Sequence, residues 1–165
     1  MKICFIDIET TGLDEKVDRI WQIAGCIREN GKIIEKFNYI DKKSEKNLYY
    51  KLLTSLDKGV NKFDKDDKMF FVAYKADFDN KFIRRLFESN ENKFYGSYFF
   101  NPHVCLMQMA ARYFMKNSRK KRPDNFKLST ICRYFGISVV DSKLHDGNYD
   151  ITISRKLYNK LNKLV

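Results

Sequence analysis

The stretch FIDIETTGL, residues 5–13, sets two carboxylates, Asp7 and Glu9, one residue apart inside an apolar, β-branched run of the kind that forms a buried strand. Burying an unpaired carboxylate is costly, so a pair set among Ile, Phe and Cys needs something strongly positive nearby, and a metal ion is the obvious candidate. Side chains alternate faces along a strand. Asp7 and Glu9 therefore point the same way, at the end where strands of open α/β sheets meet their ligands. Taken alone, the pair also fits a solvated strand edge with Glu9 opening a turn.

A chain of 165 residues is long enough for one domain with a real core and short for two. Its 14 Phe and 10 Tyr, within 44% hydrophobic content, argue for a packed globule despite 32% charged residues. Thirty-two Lys and Arg against 21 Asp and Glu leave a formal +11, which favours a polyanionic partner, nucleic acid first. No membrane partner is expected, because no basic amphipathic helix stands out and no apolar run approaches the roughly 20 residues of a spanning helix. The amino terminus runs straight into a strand and does not read as a signal peptide, so the expected location is the cytoplasm. Cys4, Cys26, Cys105 and Cys132 stand singly, without CxxC pairs or zinc-finger spacing, and read as reduced core residues.

Residues 2–8 and 19–29 read as strands. Asn30-Gly31 signals a type I′ turn, so residues 32–40 return antiparallel as a third strand. A helix around 45–56 follows, then a strand in MFFVAY and a helix in KADFDNKFIRRLF, where Phe78, Phe82 and Leu86 recur every four residues. A short strand near YGSYFF, a helix from His103 to Met115 and a basic loop come next. A short helix stopped by Gly136 follows, then a last helix from about Asn148 to Leu164 with Ile151, Leu157, Leu161 and Leu164 turned inward. This order makes a mixed sheet with helices packed on it.

Two other stretches can bring acids to the end of the first strand. AYKADFDNKF places Asp79 in the first turn of a helix directly after the fourth strand, where the helix dipole also favours a merely capping acid. HDGNYD spans residues 145–150. Residues five apart on a helix are separated by about 140° around its axis, so His145 must sit on the loop before the helix that carries Asp150. With Gly147 loosening the backbone, Asp150 can hold an ion while the imidazole reaches over as a base; a plain surface histidine is the alternative.

Taken in order, DxE on a first strand, FD after a mid-chain strand and HxxxxD opening the last helix resemble the DEDDh family of 3′-5′ exonucleases, which includes the proofreading subunit of bacterial DNA polymerase III and ribonuclease T. The likeness runs from FIDIETTGL through AYKADFDNKFI and NFKLSTICRYFGI to KLHDGNYD. It implies an α/β, ribonuclease H-like fold, with a mixed five-stranded sheet whose first three strands are antiparallel, flanked by helices, and a single exonuclease domain over residues 1–165. It implies two divalent cations, Mg²⁺ or Mn²⁺, which suit an all-carboxylate site. Asp7, Glu9 and Asp150 would bind the first, Asp7 would bridge to the second, Asp79 would hold the second, and His145 would be the general base.

Thr10, Thr11 and Leu13 match family positions that hold the terminal nucleotide, with Leu13 resembling a wedge against the last base. Phe78 matches an aromatic position that can stack on a base, or it packs in the core. The family's His-Asn before Ala is Tyr74-Lys75 here, which bears on substrate preference; Lys75 contacts a phosphate or is simply solvated. Gly147 stands where alanine is common, which should make the His145 loop more mobile. Lys116, Arg119, Lys120, Lys121 and Arg122 are expected to contact phosphates upstream of the cut, or to form a solvated loop. His103 is expected to have no chemical role.

The implied activity is release of nucleoside monophosphates from single-stranded 3′ ends, DNA slightly ahead of RNA. An inactive nucleic-acid-binding module on the same fold, an exoribonuclease acting on short RNA and a ribonuclease H-type endonuclease are the alternatives. The chain ends with its last helix, which favours a stand-alone nuclease; a polymerase or a second copy as partner stays open.

Overall fold

A computed structural model describes residues 1–164. Five strands, β1 (Lys2–Thr10), β2 (Ile20–Glu29), β3 (Lys32–Ile40), β4 (Met69–Ala73) and β5 (Val104–Cys105), form one sheet in the order β3-β2-β1-β4-β5. The pairs β1–β2 and β2–β3 are antiparallel, and β1–β4 and β4–β5 are parallel. The helices are α1 (Glu45–Gly59), α2 (Ala76–Ser89), α3 (Tyr95–Tyr98), α4 (Leu106–Lys116), α5 (Leu128–Tyr134) and α6 (Gly147–Leu161), with a 3₁₀ turn at Asp141–Lys143. Among the described residues, no helix is long and apolar enough to cross a membrane.

Local chemistry sets the turns and caps. Asn30 and Gly31 both adopt positive φ, 49° and 86°, as a type I′ hairpin requires. After α5, the Gly136 N–H donates to Arg133 O and the Ile137 N–H to Cys132 O, a Schellman pair in which Gly136 takes φ 74°. Ser44 caps α1 by accepting from the Asn47 N–H, and Asp146 caps α6 by accepting from the Tyr149 N–H.

Period-2 alternation along β1 divides the core. Cys4, Ile6 and Ile8 face a cluster that includes Leu52, Phe71, Phe82 and Phe87, under α1 and α2. Ile3 and Phe5 face the other cluster, with Val72, Leu106, Ile131 and Leu157 under α4, α5 and α6. Asp7 and Glu9 continue the second face. Pairing of β1 with β4 ends at Phe5–Val72, whereas its pairing with β2 continues to Thr10. The end of β1 therefore has a free edge on the β4 side, and the acids lie there.

Three expectations need correction. YGSYFF is a helical turn rather than a strand, because Tyr95, Tyr98 and Phe99 recur at helical spacing and bury together against Phe87 and Phe71; Phe99 adds a single bridge to Met69. The helix expected from His103 starts at Leu106, because Val104 and Cys105 pair with Val72 and Ala73 as β5. The last helix ends at Leu161, which is fully buried, while Leu164 lies beyond it and is exposed.

Phe87 is fully buried and meets the rings of Tyr49, Tyr95 and Tyr98 edge-on. Phe87→Ala is expected to cost about 3–5 kcal/mol of stability, measured by chemical denaturation; a loss below about 1 kcal/mol would contradict this packing.

Candidate active site

A cavity of ≈ 600 Å³ opens at the free edge of β1. Asp7 and Glu9 from β1, Lys75, Phe78 and Asp79 from the start of α2, His145 from the loop before α6 and Asp150 from the first turn of α6 all line it. Ile8, Tyr74, Lys127, Leu128, Ser129 and Leu144 complete the wall. Residues separated by more than 140 positions are brought together because β1 lies between β2 and β4, so α2 and α6 both begin beside its end.

The four acids sit in different degrees of enclosure. Asp79 and Asp150 are buried, while Asp7 and Glu9 are half-buried. Asp7 Oδ2 and Asp150 Oδ1 are shut off from solvent without any hydrogen-bond partner. Burial pushes the Asp7 carboxyl well above its ordinary value, and the charges of Asp79, Asp150 and Glu9 push it further. Burial likewise pushes Asp79 up to about 7, held back by the backbone N–H groups of Ile8 and of Asp79 itself. Asp150 is raised by burial, against the opposing pull of the His145 N–H, which donates to Asp150 Oδ2 at 3.1 Å. Glu9 is raised by burial, with the His145 imidazole pulling the other way.

His145 holds φ 67° and its side chain is 86% exposed, with Nδ1 3.7 Å from Glu9 Oε1. It sits on the loop, as the spacing to Asp150 requires. Gly147 differs from expectation. A Cβ there would stand 2.6 Å from the Ala24 Cβ and 2.9 Å from Gln22 Nε2, so the glycine lets α6 approach β2 closely rather than loosening the loop.

Thr10, Thr11 and Leu13 follow Glu9 without lining the cavity. The Thr10 hydroxyl donates to Gly12 O and the Thr11 hydroxyl to Asp18 Oδ1, so both brace the β1–β2 loop. Leu13 is 79% exposed, and its carbonyl accepts from Lys81 Nζ at 3.2 Å. Phe78 is half-buried, both touching the core and lining the cavity. The basic run is not drawn in: Lys116, Arg119 and Lys120 line a separate shallow depression, and the Lys120 ammonium donates to the Tyr113 hydroxyl. Lys121 and Arg122 are exposed outside the cavity. His103 Nε2 lies 2.8 Å from Asp77 Oδ1, tying the segment just before β5 to the first turn of α2.

Among the described residues, no three His, Cys, Asp or Glu side chains are close enough together to hold one ion as they stand. The donor chemistry nevertheless fits a hard divalent cation: four carboxylates face one cavity, and two of their oxygens are buried with their hydrogen-bonding capacity unmet.

The RNase_H_2 family model, described as RNase_H superfamily, matches residues 4–158. The chain belongs to the RNase_H superfamily. Its five-stranded sheet, with three antiparallel strands followed by two parallel ones, agrees with the expected architecture. The chain is similar to a PolC-type DNA polymerase III of Listeria innocua, 35% identical over 98 residues that cover 52% of this chain and 7% of that protein. Its backbone is similar to that of E. coli exonuclease I in a zinc-bound complex with single-stranded DNA, with TM-score 0.75 and 19% identity, covering 98% of this chain and 40% of that one. The complex of the E. coli enzyme with a dA16 oligonucleotide gives TM-score 0.74 at 17% identity, covering 99% and 41%. This RNase_H-superfamily chain thus spans about two fifths of the solved chains it matches and a small part of the curated relative.

Tyr74 lines the cavity beside Lys75, where the family likeness sets both next to the substrate path, whereas no sequence motif assigned Lys127, Leu128, Ser129 or Leu144 to the cavity. Lys127, Leu128 and Ser129 had a signal available, since all three lie within the NFKLSTICRYFGI stretch. The Tyr74 hydroxyl donates to Phe126 O at 2.6 Å, which fixes the start of α5 against the end of β4.

Two outcomes follow for stability. Folded Asp79 keeps its proton up to about 7, whereas the unfolded chain loses it near the ordinary value of 3.8. Stability therefore falls as pH rises across that interval and stays low above it. In metal-free buffer, Asp79→Asn is expected to match the parent at the acid end and to melt higher at the alkaline end, by the equivalent of a few kcal/mol; parallel melting profiles would contradict the burial argument. Gly147→Ala should lose about 1–3 kcal/mol by overpacking, and Ala24→Gly in the same chain should restore part of it in denaturant titrations.

Proposed function

We propose that the chain works as one exonuclease domain, a divalent-metal-dependent 3′-5′ exonuclease that releases nucleoside monophosphates from single-stranded 3′ ends, with DNA favoured over RNA. The observation that carries this reading is the pair of buried, unpartnered oxygens on Asp7 and Asp150, in a cavity that Glu9, Asp79 and His145 also line. The Listeria innocua relative is a DNA polymerase, and the E. coli neighbour is an exonuclease bound to single-stranded DNA; both favour a DNA substrate.

In this reading Asp7, Glu9 and Asp150 hold one cation and Asp7 and Asp79 a second, with Mg²⁺ or Mn²⁺ as the natural ions for oxygen donors. Bound there, the cations supply Lewis-acid stabilisation of charge on the phosphate and a more acidic water. His145 takes the proton from the attacking water, and Glu9 beside its Nδ1 steadies the imidazolium that forms. Its exposure leaves the ring free to pass that proton to solvent. Phe78 offers a stacking face, Leu13 an apolar wedge, and Thr10 and Thr11 a braced loop for the terminal nucleotide. Lys75, exposed at the cavity, meets a phosphate. Arg119, Lys120, Lys121 and Arg122 contact the strand upstream of the cut.

The deciding experiment incubates 5′-labelled DNA and RNA oligomers, single- and double-stranded, with the protein and Mg²⁺ or Mn²⁺. A ladder of shortened products is expected, strongest for single-stranded DNA and absent with Asp7→Ala. His145→Ala is expected to lower kcat by about 10²–10⁴-fold with little change in KM. Retardation of the oligomer without shortening would replace the proposal with a binding module, and internal fragments from a hybrid duplex would replace it with an endonuclease.

A further inference from the structure

A second hollow lies on the α6 side of the sheet, beside the edge strand. Helix α6 packs over β1 and β2, so β3 overhangs it. Lys36 on β3 stands opposite Cys26 on β2 and faces the helix across a pocket of ≈ 270 Å³. Arg155, Asn148 and Thr152 of α6 line the far wall, and no acid lines any part of it.

The charges here are uncompensated. Among the described residues, neither Lys36 nor Arg155 takes part in an ion pair. Arg155 Nε is shut off from solvent and has no hydrogen-bond partner. Arg155 is half-buried and lines the hollow, so with Nε enclosed it is the terminal guanidinium nitrogens that an entering ligand meets, and their planar fork matches two oxygens of a phosphate. The convergence of charge also registers on a neighbour. Burial raises the Cys26 thiol, while Arg155, Lys36 and Arg28 together pull it back.

We propose that Lys36 and Arg155, with the Asn148 amide beside them, form a phosphate-binding site for the backbone of a nucleic-acid strand, separate from the carboxylate cavity. Two features favour a strand over a free nucleotide. The hollow is smaller than the roughly 300–1,000 Å³ of pockets that enclose whole small molecules. It also opens at the surface of a chain of formal charge +11, to which a polyanion is drawn over a long range. The site needs neither a bound metal nor hydrolysis, so it can stand if the exonuclease reading fails, and it can fail if that reading stands.

The test measures binding of a fluorescent single-stranded oligonucleotide in EDTA across a salt series, for the parent, Lys36→Gln, Arg155→Gln and the double variant, with Lys65→Gln as a surface control. Melting curves with added inorganic phosphate form a second arm. Each site variant is expected to weaken oligonucleotide binding at low salt by about three- to tenfold and to make the salt slope shallower by roughly 0.7 per cation removed, with the control unchanged. Lys36 is exposed, so its variant carries the test even if Arg155→Gln folds poorly. A phosphate-induced rise in melting temperature that the double variant loses, together with an unchanged oligonucleotide slope, overturns the strand and leaves free phosphate as the ligand. If the slopes and the phosphate response are both unchanged, no phosphate site exists here.

Discussion

The structure depends on holding four carboxylates around one cavity against their own repulsion. Each loses solvation on burial, and the charges of Asp79, Asp150 and Glu9 all raise the proton affinity of Asp7, so the group is held against repulsion that the pull of His145 on Asp150 and Glu9 only partly opposes. Apolar packing behind them holds them there. Cys4, Ile6 and Ile8 pin β1 to one core while Ile3 and Phe5 pin it to the other. Ala76, Phe82 and Ile83 anchor the helix that presents Asp79, and Ile151, Ile153 and Leu157 anchor the one that presents Asp150. Each buried large aliphatic or aromatic side chain contributes roughly 1.5–3 kcal/mol against the electrostatic penalty of the cluster.

Charge is distributed in the opposite sense at the two length scales. The chain as a whole carries +11, yet its main cavity concentrates acids. A polyanion is attracted by the surface and repelled at the centre unless positive charge enters the cavity with it. In the proposed reading, a cation in the cavity would remove a repulsion that the strand meets, and by linkage the strand would strengthen cation binding by the same factor.

Much of this was legible along the chain. The β1–β2–β3 meander follows from alternation and the Asn30-Gly31 turn, and the grouping of Asp7, Glu9, Asp79, His145 and Asp150 follows from three short motifs at the ends of three elements. What was not legible depends on pairing at a distance. Val104 and Cys105 become a strand only because Val72 and Ala73 lie alongside, and a two-residue strand leaves no periodicity to read. YGSYFF has the aromatic richness of a strand, but Tyr95, Tyr98 and Phe99 bury together only when the segment turns as a helix. The wall formed by Lys127, Leu128 and Ser129 was hidden for the same reason, because α5 reaches the cavity through the hydrogen bond from Tyr74 to Phe126 O.

Gly147 shows why local reasoning about flexibility can point the wrong way. A glycine two residues after a histidine reads as slack, yet here it removes a methyl group that would collide with Ala24 and brings α6 hard against β2. That approach sets the height of Asp150 relative to β1. It also leaves the chain entering α6 to turn within a few residues, and His145 takes up that turn at φ 67°, a conformation that costs a non-glycine residue of order 1 kcal/mol. The hydrogen bond from its backbone N–H to Asp150 and the proximity of its ring to Glu9 offset the strain. The backbone position of His145 beside the carboxylates is thus tied to how closely the last helix packs on the second strand, while its exposed ring stays free to move.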